Sequence, residues 1–278
     1  MRILVAGALG QLGRALRGAL EGHELVLRDL PELDLAEPEP VARCLDDTGA
    51  QLVINAAAFT DVDAAESDPA GAERGNVIIP RVLAEATAAR QLPLVHISTD
   101  YVFDGRADRP YLESDAPAPF NAYGRTKLAG EEAVRAANPR HFVVRTAWLY
   151  STGGRNFALT MLAAASRGEV RVVDDQTGCP TYAPHLARAI ARLLDRKDFG
   201  TFHMAGAGQT TWYGLTCALY DALDVDCRVT PCTTAEFPRP APRPRYSALG
   251  TGREPAIALP SWQDGVRAFA RDLRKERT

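Results

Sequence analysis

Short apolar runs alternate with segments of helical spacing along most of the chain. The runs are rich in β-branched residues and lie between turn residues, which is typical of strands buried in a parallel sheet. The predicted strands are residues 2–6, 25–27, 51–55, 94–97, 142–145, 170–174 and 201–204. Helices are predicted after the first strand through Leu20, and at 37–46, 76–90, 123–137, 185–194 and 210–223. This alternation predicts an α/β fold with a doubly wound parallel sheet.

Three glycines follow the first predicted strand directly. Gly7, Gly10 and Gly13 stand in the sequence GALGQLG, where the chain passes from a strand into a helix. Glycine allows a tight turn and a close approach of the backbone to a pyrophosphate, and the N–H groups at a helix N-terminus attract phosphates. At this place in the chain, the spacing predicts the dinucleotide-binding turn of a Rossmann fold.

The end of the second predicted strand bears on which dinucleotide binds. Asp29 stands where an acidic residue usually binds the hydroxyls of the adenosine ribose, whereas the adjacent Arg28 suits a 2′-phosphate. The chain is therefore predicted to use NADPH or NADH, with the choice left open. Asp34 and Leu35 begin a loop that is predicted to lie beside the adenine.

Two further strand ends supply small or polar residues. Three alanines, 56–58, follow the third strand and would let a cofactor lie against the backbone. Thr99 follows the fourth strand, and its hydroxyl can form a hydrogen bond with a substrate oxygen. Ligands of doubly wound sheets bind beyond the carboxyl ends of the strands, so these residues are expected to border one pocket.

Tyr123 and Lys127 lie four residues apart in the sequence NAYGRTK, at the start of a predicted helix. Residues at positions i and i+4 share a helix face. An ammonium near a phenol favours the phenolate, so the pKa of Tyr123 is predicted to fall towards working pH from its usual value of about 10. The pair is therefore a candidate for acid–base catalysis.

Composition narrows the possible partners. The 278 residues include 32 Lys and Arg and 35 Asp and Glu, so the net charge is −3, and no long basic run suggests a nucleic-acid surface. No apolar run approaches the roughly 20 residues that span a bilayer, and the first strand begins at Arg2, so a cytoplasmic protein without a membrane partner is expected. The five cysteines contain no Cys-x-x-Cys pair, which favours reduced packing residues over disulfides or zinc ligands.

With these residues assembled, the chain resembles the extended short-chain dehydrogenase/reductase superfamily, and within it the dTDP-4-dehydrorhamnose reductase family. The resemblance covers nearly the full length, and its ordered agreement is more specific than any single motif. The matching segments are GALGQLG (7–13), NAAAFTDVD (55–63), STDYVF (98–103), YGRTKLAG (123–130), RTAWLY (145–150), DQTGCPT (175–181), RPRYSAL (243–249) and LPSW (259–262).

The resemblance implies reduction of the C4 ketone of a nucleotide-linked 4-keto-6-deoxy sugar, with dTDP-4-dehydro-L-rhamnose as the first candidate. Tyr123 would donate a proton to the C4 oxygen, Lys127 would hold the nicotinamide ribose, and Thr99 would hydrogen-bond the carbonyl. The implied cofactor-binding residues are Gly7, Gly10, Gln11, Leu12, Gly13, Asp29, Asp34, Leu35, Ala58, Phe59, Thr60, Ile97, Tyr123 and Lys127. The implied substrate-binding residues are Thr99, Asp100, Trp148 and Arg243.

Three departures from the family pattern matter. Some members dimerise through a magnesium site with glutamates in the first helix and in a later helix, where this chain has Ala15 and the neighbourhood of Pro184 and His185. No metal is therefore expected, full activity in a chelator is predicted, and either a monomer or a homodimer is possible. Phe59 stands where a histidine is common, and residues 250–259 form a short segment, so the resemblance implies the reaction and leaves the exact sugar open.

The length fits a dinucleotide-binding Rossmann domain and a smaller α/β substrate domain. The first is predicted at 1–147, with 184–206 returning to it, and the second at 148–183 and 207–278. Two alternatives to the 4-ketoreductase remain. One is an epimerase, an epimerase/reductase or a reductase of another 4-keto sugar, as in a dTDP-dihydrostreptose route, and net consumption of NAD(P)H would exclude a simple epimerase. The other is a non-catalytic regulatory subunit of the same fold, which would not need a proton donor.

Overall fold

A computed structural model describes residues 1–276 and shows an α/β fold. The strands are β1 (Arg2–Ala6), β2 (Glu24–Arg28), β3 (Leu52–Asn55), β4 (Leu94–Thr99), β5 (His141–Thr146), β6 (Leu149–Tyr150), β7 (Glu169–Val173), β8 (Thr177–Gly178), β9 (Thr181–Tyr182), β10 (Gly200–His203), β11 (Thr210–Thr211) and β12 (Arg228–Cys232). The α-helices are α1 (Gln11–Ala19), α2 (Pro38–Thr48), α3 (Ala64–Ser67), α4 (Pro69–Glu73), α5 (Ile79–Ala88), α6 (Ala122–Ala137), α7 (Phe157–Ala164), α8 (Ala183–Leu193), α9 (Trp212–Ala222) and α10 (Trp262–Glu276).

Six parallel strands form the central sheet, in the order β10-β5-β4-β3-β1-β2. The chain first places β2 on one side of β1 and then crosses back to start β3, β4 and β5 on the other side. The strand order therefore reverses between β1 and β3, and open α/β sheets bind ligands beyond the carboxyl ends of the strands at such a reversal. The predicted doubly wound parallel sheet is confirmed, and so is the predicted return of a late strand to it.

Alternate side chains of β1 enter two separate cores. Ile3 and Val5 pack with residues of α1 and α8, whereas Leu4 and Ala6 pack with residues of α2, α5 and α6. Successive side chains of a strand point to opposite faces of the sheet, so a strand buried on both faces has apolar residues at every position. This explains why the first apolar run has no polar alternation.

A second group of elements is packed by its own apolar clusters. Strands β7 and β12 pair in parallel, and β6 with β9 and β8 with β11 form further two-stranded pairs. One cluster joins Leu215 of α9 to Phe269 of α10, and another joins Val170 of β7 to Tyr220 of α9. The predicted domain boundaries are compatible with these groups and stay a prediction.

The structure contains more helices and strands than the sequence predicts, and two of the differences have a physical explanation. Helix α7 is not predicted, because its sequence is mostly apolar and shows no polar face from which a helical period can be recognised. The predicted helix at 76–90 begins instead with a π-helical turn at Arg74–Ile78, which leads into α5. Among residues 1–276, no helix has the length and apolar character to cross a membrane.

Candidate active site

A cleft of about 850 Å³ opens at the carboxyl ends of β1, β3 and β4. Most of the predicted site residues border it, namely Gly7, Gly10, Gln11, Leu12, Asp29, Asp34, Leu35, Ala58, Phe59, Thr60, Ile97, Thr99, Asp100, Tyr123, Lys127 and Trp148. Gly13 and Arg243, both among the described residues, lie outside its lining. The sequence therefore locates the cleft, while the individual roles of these residues stay predictions.

The turn after β1 packs tightly on the end of β3. Gly7 has a φ of 76°, in the left-handed region, and a Cβ at this position would lie 2.5 Å from the backbone nitrogen of Ala57. Helix α1 follows with Gly10 as its N-cap, and no side chain of the described residues caps its first turn. The N–H groups of that turn are therefore available to phosphate oxygens. A Cβ at Gly13 would lie 2.2 Å from the carbonyl oxygen of Gly7, so Gly13 sets the packing of α1 on the turn.

The Asp29 carboxylate fixes the same turn from the end of β2. Its Oδ2 accepts a hydrogen bond from the N–H of Leu9 at 2.9 Å, and its Oδ1 accepts one from the N–H of Leu30 at 3.0 Å. These contacts hold the glycine turn and the chain after β2 together at one edge of the cleft.

A cation that sequence reasoning missed borders the same cleft as Asp29. Arg74 borders the cleft and forms an ion pair with Asp34, which was predicted to lie at the adenosine end. Arg28, the predicted alternative for a 2′-phosphate, donates to the carbonyl oxygen of Leu27 at 2.8 Å and is not part of the described lining. Nothing in the sequence around Arg74 marks it, because it reaches the cleft from the π-helical turn.

Asn76 holds the segment after β3 and was also missed as a site residue. Its Oδ1 accepts a hydrogen bond from the N–H of Phe59 at 3.0 Å, and its Nδ2 donates to the Phe59 carbonyl oxygen and to Thr126 Oγ1, both at 3.1 Å. Asn76 is fully buried. Its hydrogen bonds connect Phe59, which borders the cleft, to the helix that carries Tyr123 and Lys127. In the sequence analysis Asn76 is only the first residue of the predicted helix 76–90, and helical spacing gives it no role in the site.

Helix α6 presents Tyr123 and Lys127 to the cleft from its first two turns. Asn121 caps the helix, since its Oδ1 accepts a hydrogen bond from the N–H of Gly124 at 2.7 Å. Gly124 also allows a close approach to the end of β4, because a Cβ there would lie 2.2 Å from the carbonyl oxygen of Tyr101. The predicted sharing of one face by Tyr123 and Lys127 agrees with their positions in the cleft.

The residues at the end of strand β4 lie beside helix α6. The Thr99 hydroxyl accepts a hydrogen bond from the N–H of Tyr101 at 3.2 Å and donates one to Asp100 Oδ1 at 3.0 Å. Thr99 and Asp100 are both buried. The Tyr101 ring packs edge-on against the Tyr123 ring, with centroids 5.7 Å apart. These contacts bring the hydroxyl, the carboxyl and the phenol to one point of the cleft.

The direction predicted for the pKa of Tyr123 is wrong. Burial is the main reason that the pKa of Tyr123 is raised to about 12; the interaction with Thr99 opposes the rise, and the charge of Asp100 adds to it. The Nζ atom of Lys127 is directed to the carbonyl oxygen of Ile97, at 2.7 Å. At neutral pH Tyr123 therefore keeps its proton, which is the state that a proton donor requires.

Lys127 itself is buried among charged neighbours. Burial lowers the pKa of Lys127 to about 8, and the nearby Glu131 carboxylate opposes this shift. Glu131 is fully buried and forms ion pairs with Arg145 at 2.7 Å and with Arg135 at 2.6 Å. Burial raises the pKa of Glu131, but the hydrogen bonds and charge of Arg145 outweigh this and lower it overall. Glu131 therefore stays ionised beneath the cleft.

Trp148 also borders the cleft and is stacked on Trp212, with ring centroids 3.4 Å apart and planes 4° apart. Its φ of 47° is uncommon outside glycine, and such strained backbones cluster at binding sites. Gly178 permits this position, since a Cβ there would lie 2.4 Å from the indole of Trp148. Trp212 also borders the cleft and donates from Nε1 to Gln176 Oε1 at 3.1 Å, a position that the sequence interpretation used only as a helix start.

Arg243 borders a second cavity of about 760 Å³, together with Arg245 and Tyr246. Its guanidinium forms an ion pair with Asp63 at 3.0 Å and donates to the carbonyl oxygen of Ala241 at 2.8 Å. Arg243 thus joins the proline-rich segment 237–245 to the segment after β3. Its predicted role in substrate binding stays a prediction.

The sequence predicts neither a metal site nor disulfides. Among residues 1–276, no group of three or more His, Cys, Asp or Glu side chains could hold a metal ion. Ala15, at the position of a family glutamate, packs against the core between α1 and α8. All five cysteines are free thiols, and Cys179 and Cys232 are buried, as expected of packing residues. Independence from metal stays a prediction.

Comparison with known proteins agrees with this geometry. The model of the RmlD substrate binding domain family matches residues 1–275. The chain belongs to this family. The resemblance inferred from the sequence motifs is therefore confirmed.

Two similar RmlD-family relatives extend over nearly the whole chain. A probable dTDP-4,6-dihydroxy-2-methyloxan-3-one 4-ketoreductase of Streptomyces antibioticus is 44% identical, over 98% of this chain and 96% of the relative. A dTDP-4-dehydrorhamnose reductase of Mycolicibacterium smegmatis is 42% identical, over 96% of this chain and 84% of the relative. A solved dTDP-4-dehydrorhamnose reductase from Bacillus anthracis, in complex with NADP, is 34% identical with a TM-score of 0.95 and covers 98% of this chain and 99% of its own.

Proposed function

We propose that this chain reduces the C4 ketone of a nucleotide-linked 4-keto-6-deoxy sugar with NADPH or NADH. The first candidate substrate is dTDP-4-dehydro-L-rhamnose, which would give dTDP-L-rhamnose. The proposal depends on one observation. A protonated phenol, Tyr123, borders the same cleft as a glycine turn and a helix N-terminus suited to a pyrophosphate. The names of the relatives at 44% and 42% identity, both ketoreductases of dTDP-linked sugars, support it.

The cleft fits a nicotinamide dinucleotide. Its glycine turn has no space for a Cβ at Gly7, and the first turn of α1 offers uncapped N–H groups. When bound, the reduced nicotinamide supplies the hydride that adds to the ketone carbon. The solved relative from Bacillus anthracis contains NADP. The residues proposed to hold the cofactor are Gly10, Gln11 and Leu12 at the pyrophosphate, Asp29, Asp34 and Leu35 at the adenosine end, and Ala58, Phe59, Thr60 and Ile97 towards the nicotinamide.

The remaining chemistry belongs to three side chains. Reduction of a ketone needs a proton at the oxygen, and Tyr123 holds one at neutral pH because its pKa is raised to about 12. Lys127 stays cationic below its pKa of about 8, and a cation stabilises the phenolate that remains after proton transfer. The Thr99 hydroxyl is proposed to orient the ketone oxygen by a hydrogen bond. Together these groups orient the oxygen, protonate it and stabilise the charge left behind.

The nucleotide part of the substrate is proposed to extend past Trp148 towards the second cavity. Trp148 offers an aromatic face to the sugar or the base. Arg243 and Arg245 border the second cavity, and a planar guanidinium suits a diphosphate. This division would place the cofactor on residues 1–147 and 184–206 and the substrate mainly on 148–183 and 207–278.

A second candidate is another nucleotide-linked 4-keto sugar. The name of the Streptomyces antibioticus relative favours it, because that protein is called a probable ketoreductase of a different dTDP-linked sugar. The chemistry at the ketone would be the same, and only the contacts to the rest of the sugar would differ. A purely regulatory role is disfavoured, since Thr99, Tyr123 and Lys127 are all present in the cleft.

The test is to incubate the purified chain with a panel of nucleotide-linked 4-keto sugars and either NADPH or NADH. Loss of the reduced-nicotinamide absorbance and identification of the product by NMR are the two readouts. The proposal expects stoichiometric cofactor consumption with a 4-keto-6-deoxy sugar and a 4-hydroxy product. Product without net cofactor consumption would indicate an epimerase, and no turnover of any sugar in the panel would contradict the proposal. A cytoplasmic monomer or homodimer without a nucleic-acid partner is part of the same proposal.

A further inference from the structure

The Thr99 hydroxyl has three polar neighbours but only one proton to donate. Its oxygen accepts a hydrogen bond from the N–H of Tyr101 at 3.2 Å and donates its only proton to Asp100 Oδ1 at 3.0 Å. The phenol of Tyr123 is a third neighbour, since Thr99 acts on it to lower the pKa of Tyr123. A hydroxyl donates one hydrogen bond, so while Thr99 donates to Asp100 it cannot donate to a substrate oxygen or to a tyrosinate.

Asp100 is an unusual neighbour for that hydroxyl. It is 2% exposed, it borders the cleft, and its Oδ2 has no hydrogen-bond partner at normal distance within residues 1–276. The hydroxyls of Ser247 and Thr99 lie near it and act to lower its pKa. A buried carboxylate without a paired cation is costly, whereas a neutral carboxylic acid at the same place can donate a hydrogen bond.

We propose that Asp100 is a positioning residue that works in its neutral form. The carboxylic acid donates its proton in a hydrogen bond to Thr99 Oγ1, and this turns the Thr99 proton away from Asp100 towards the reacting oxygen. No proton leaves Asp100, and the proton that enters the product comes from Tyr123. This inference rests on the proposed ketone reduction and adds a condition under which the same site works.

Ionisation of Asp100 would oppose the reaction in two ways. The carboxylate would again take the Thr99 proton, so the substrate oxygen would lose a donor. Its negative charge also raises the pKa of Tyr123, which makes the phenol a weaker acid and the tyrosinate less stable. Both effects reduce the rate of ketone reduction when Asp100 is charged.

The two forms of Asp100 interconvert in an accessible pH range. Burial raises the pKa of Asp100 to about 7, while the Ser247 and Thr99 hydroxyls oppose the shift. The titratable groups that face it are Tyr101 of its own turn, Tyr123 of α6 and the Cys179 thiol between β8 and β9. Burial raises the pKa of all three groups, so they stay neutral over the pH range in which Asp100 titrates. The active form is then present at low pH and is lost as the pH rises through 7.

The variant Asp100→Asn tests this directly, since its amide N–H can donate to Thr99 at every pH. The measurement is kcat/KM for ketone reduction in wild type and variant between pH 6 and pH 8, with saturating reduced cofactor. The ratio of variant to wild type cancels the titration of Lys127, which both share. It is expected to rise about tenfold over this range, the change in the neutral fraction of a group with a pKa near 7.

Two outcomes would overturn the inference. A ratio that stays flat from pH 6 to pH 8 would leave Asp100 with a structural role only. A folded Asp100→Asn protein that loses more than about 100-fold at every pH would show that the charged carboxyl is needed. If wild type itself reduces no 4-keto sugar, it is the proposed function that fails, so the two failures are distinguishable.

A second variant keeps the test valid if Asp100→Asn does not fold. Ser247 is buried and lies outside the cleft lining, and its hydroxyl lowers the pKa of Asp100. Ser247→Ala is therefore expected to shift the fall in kcat/KM to higher pH. A fall at unchanged or lower pH would contradict the role assigned to Asp100.

Discussion

The Nζ atom of Lys127 lies 2.7 Å from the carbonyl oxygen of Ile97, two residues before the end of β4. This contact ties the ammonium to the strand that presents Thr99, so the cation and the hydroxyl are positioned by one element. The same burial that fixes the ammonium lowers its pKa to about 8 from a usual value of 10.5. The position of Lys127 is therefore fixed by an environment that removes its ammonium from water.

Replacing Lys127 by methionine should stabilise the protein and inactivate it. A shift of one pKa unit corresponds to about 1.4 kcal/mol, and the lost hydrogen bond to Ile97 offsets part of it, so a gain of about 1–3 kcal/mol in the free energy of unfolding at pH 7 is expected. Reductase activity should fall at least tenfold. Urea unfolding with activity assays measures both, and Lys197→Met, at an exposed position, is the control with neither effect.

The pH dependence of stability follows from the same shift. Between pH 8 and pH 10.5 the unfolded chain holds a proton on Lys127 that the folded chain has lost, so wild-type stability gains a contribution as the pH rises through this window. Lys127→Met should lack that contribution. An equal stability of the two proteins at pH 7 would contradict a buried, costly ammonium.

Gly7→Ala should abolish cofactor binding, whereas Gly18→Ala should not. The new methyl at Gly7 would lie 2.5 Å from the backbone nitrogen of Ala57 in a left-handed backbone. A Cβ at Gly18 would have no atom of the described residues within 4 Å apart from its chain neighbours and the backbone of its own helix. Gly18 is inside α1, so alanine there is expected to stabilise the protein by about 0.5–1 kcal/mol. Fluorescence titration with NADPH and thermal unfolding compare the two, and normal NADPH affinity in Gly7→Ala would contradict the account of the turn.

Asn76→Ala should weaken both the fold and cofactor binding. The change removes three hydrogen bonds and leaves the Phe59 peptide groups unpaired, which is expected to cost about 1–3 kcal/mol of unfolding free energy. The KM for NADPH should rise because Phe59 borders the cleft. Thr126→Val removes only one of the three partners and should show a smaller change in both measurements. Equal effects in the two variants would argue against a role for the hydrogen bonds between Asn76 and the Phe59 peptide groups.

The parts of the site that could be predicted from sequence depend on local spacing. Gly7 stands between a strand and a helix, and Tyr123 and Lys127 are one helical turn apart, so neighbouring residues alone define their geometry. The strand ends that carry Ala58 and Thr99 also follow from the alternation of apolar runs. The carboxyl ends of parallel strands meet at one edge, which is why these residues share the cleft.

The parts that could not be predicted depend on residues far apart in the chain. The pKa of Tyr123 rises because the folded surroundings desolvate the phenol, a term that no i, i+4 pattern contains. Arg243 pairs with Asp63 and Trp148 stacks on Trp212, and both contacts join segments whose approach only the folded chain defines. The hydrogen bonds of Asn76 with Phe59 and Thr126 start from a π-helical turn, which ordinary helical periodicity does not indicate.

Arg243→Ala is expected to raise the KM for the nucleotide sugar more than it lowers kcat. The guanidinium borders the second cavity, where it is proposed to bind the diphosphate, and this contact would be the same in ground and transition states. Arg239 is exposed and lies over the Phe237 ring outside that cavity, so Arg239→Ala is the matched control. Steady-state kinetics of both variants decide the matter, and an unchanged KM in Arg243→Ala would remove it from the substrate site.

Tyr123→Phe tests the central claim most directly, because it removes the proton donor and keeps the ring. The measurement is the single-turnover rate of reduction of dTDP-4-dehydro-L-rhamnose with saturating NADPH, on protein whose unfolding midpoint matches wild type. The account predicts a fall of about 10² to 10⁴ in that rate. A rate within a few-fold of wild type would contradict it.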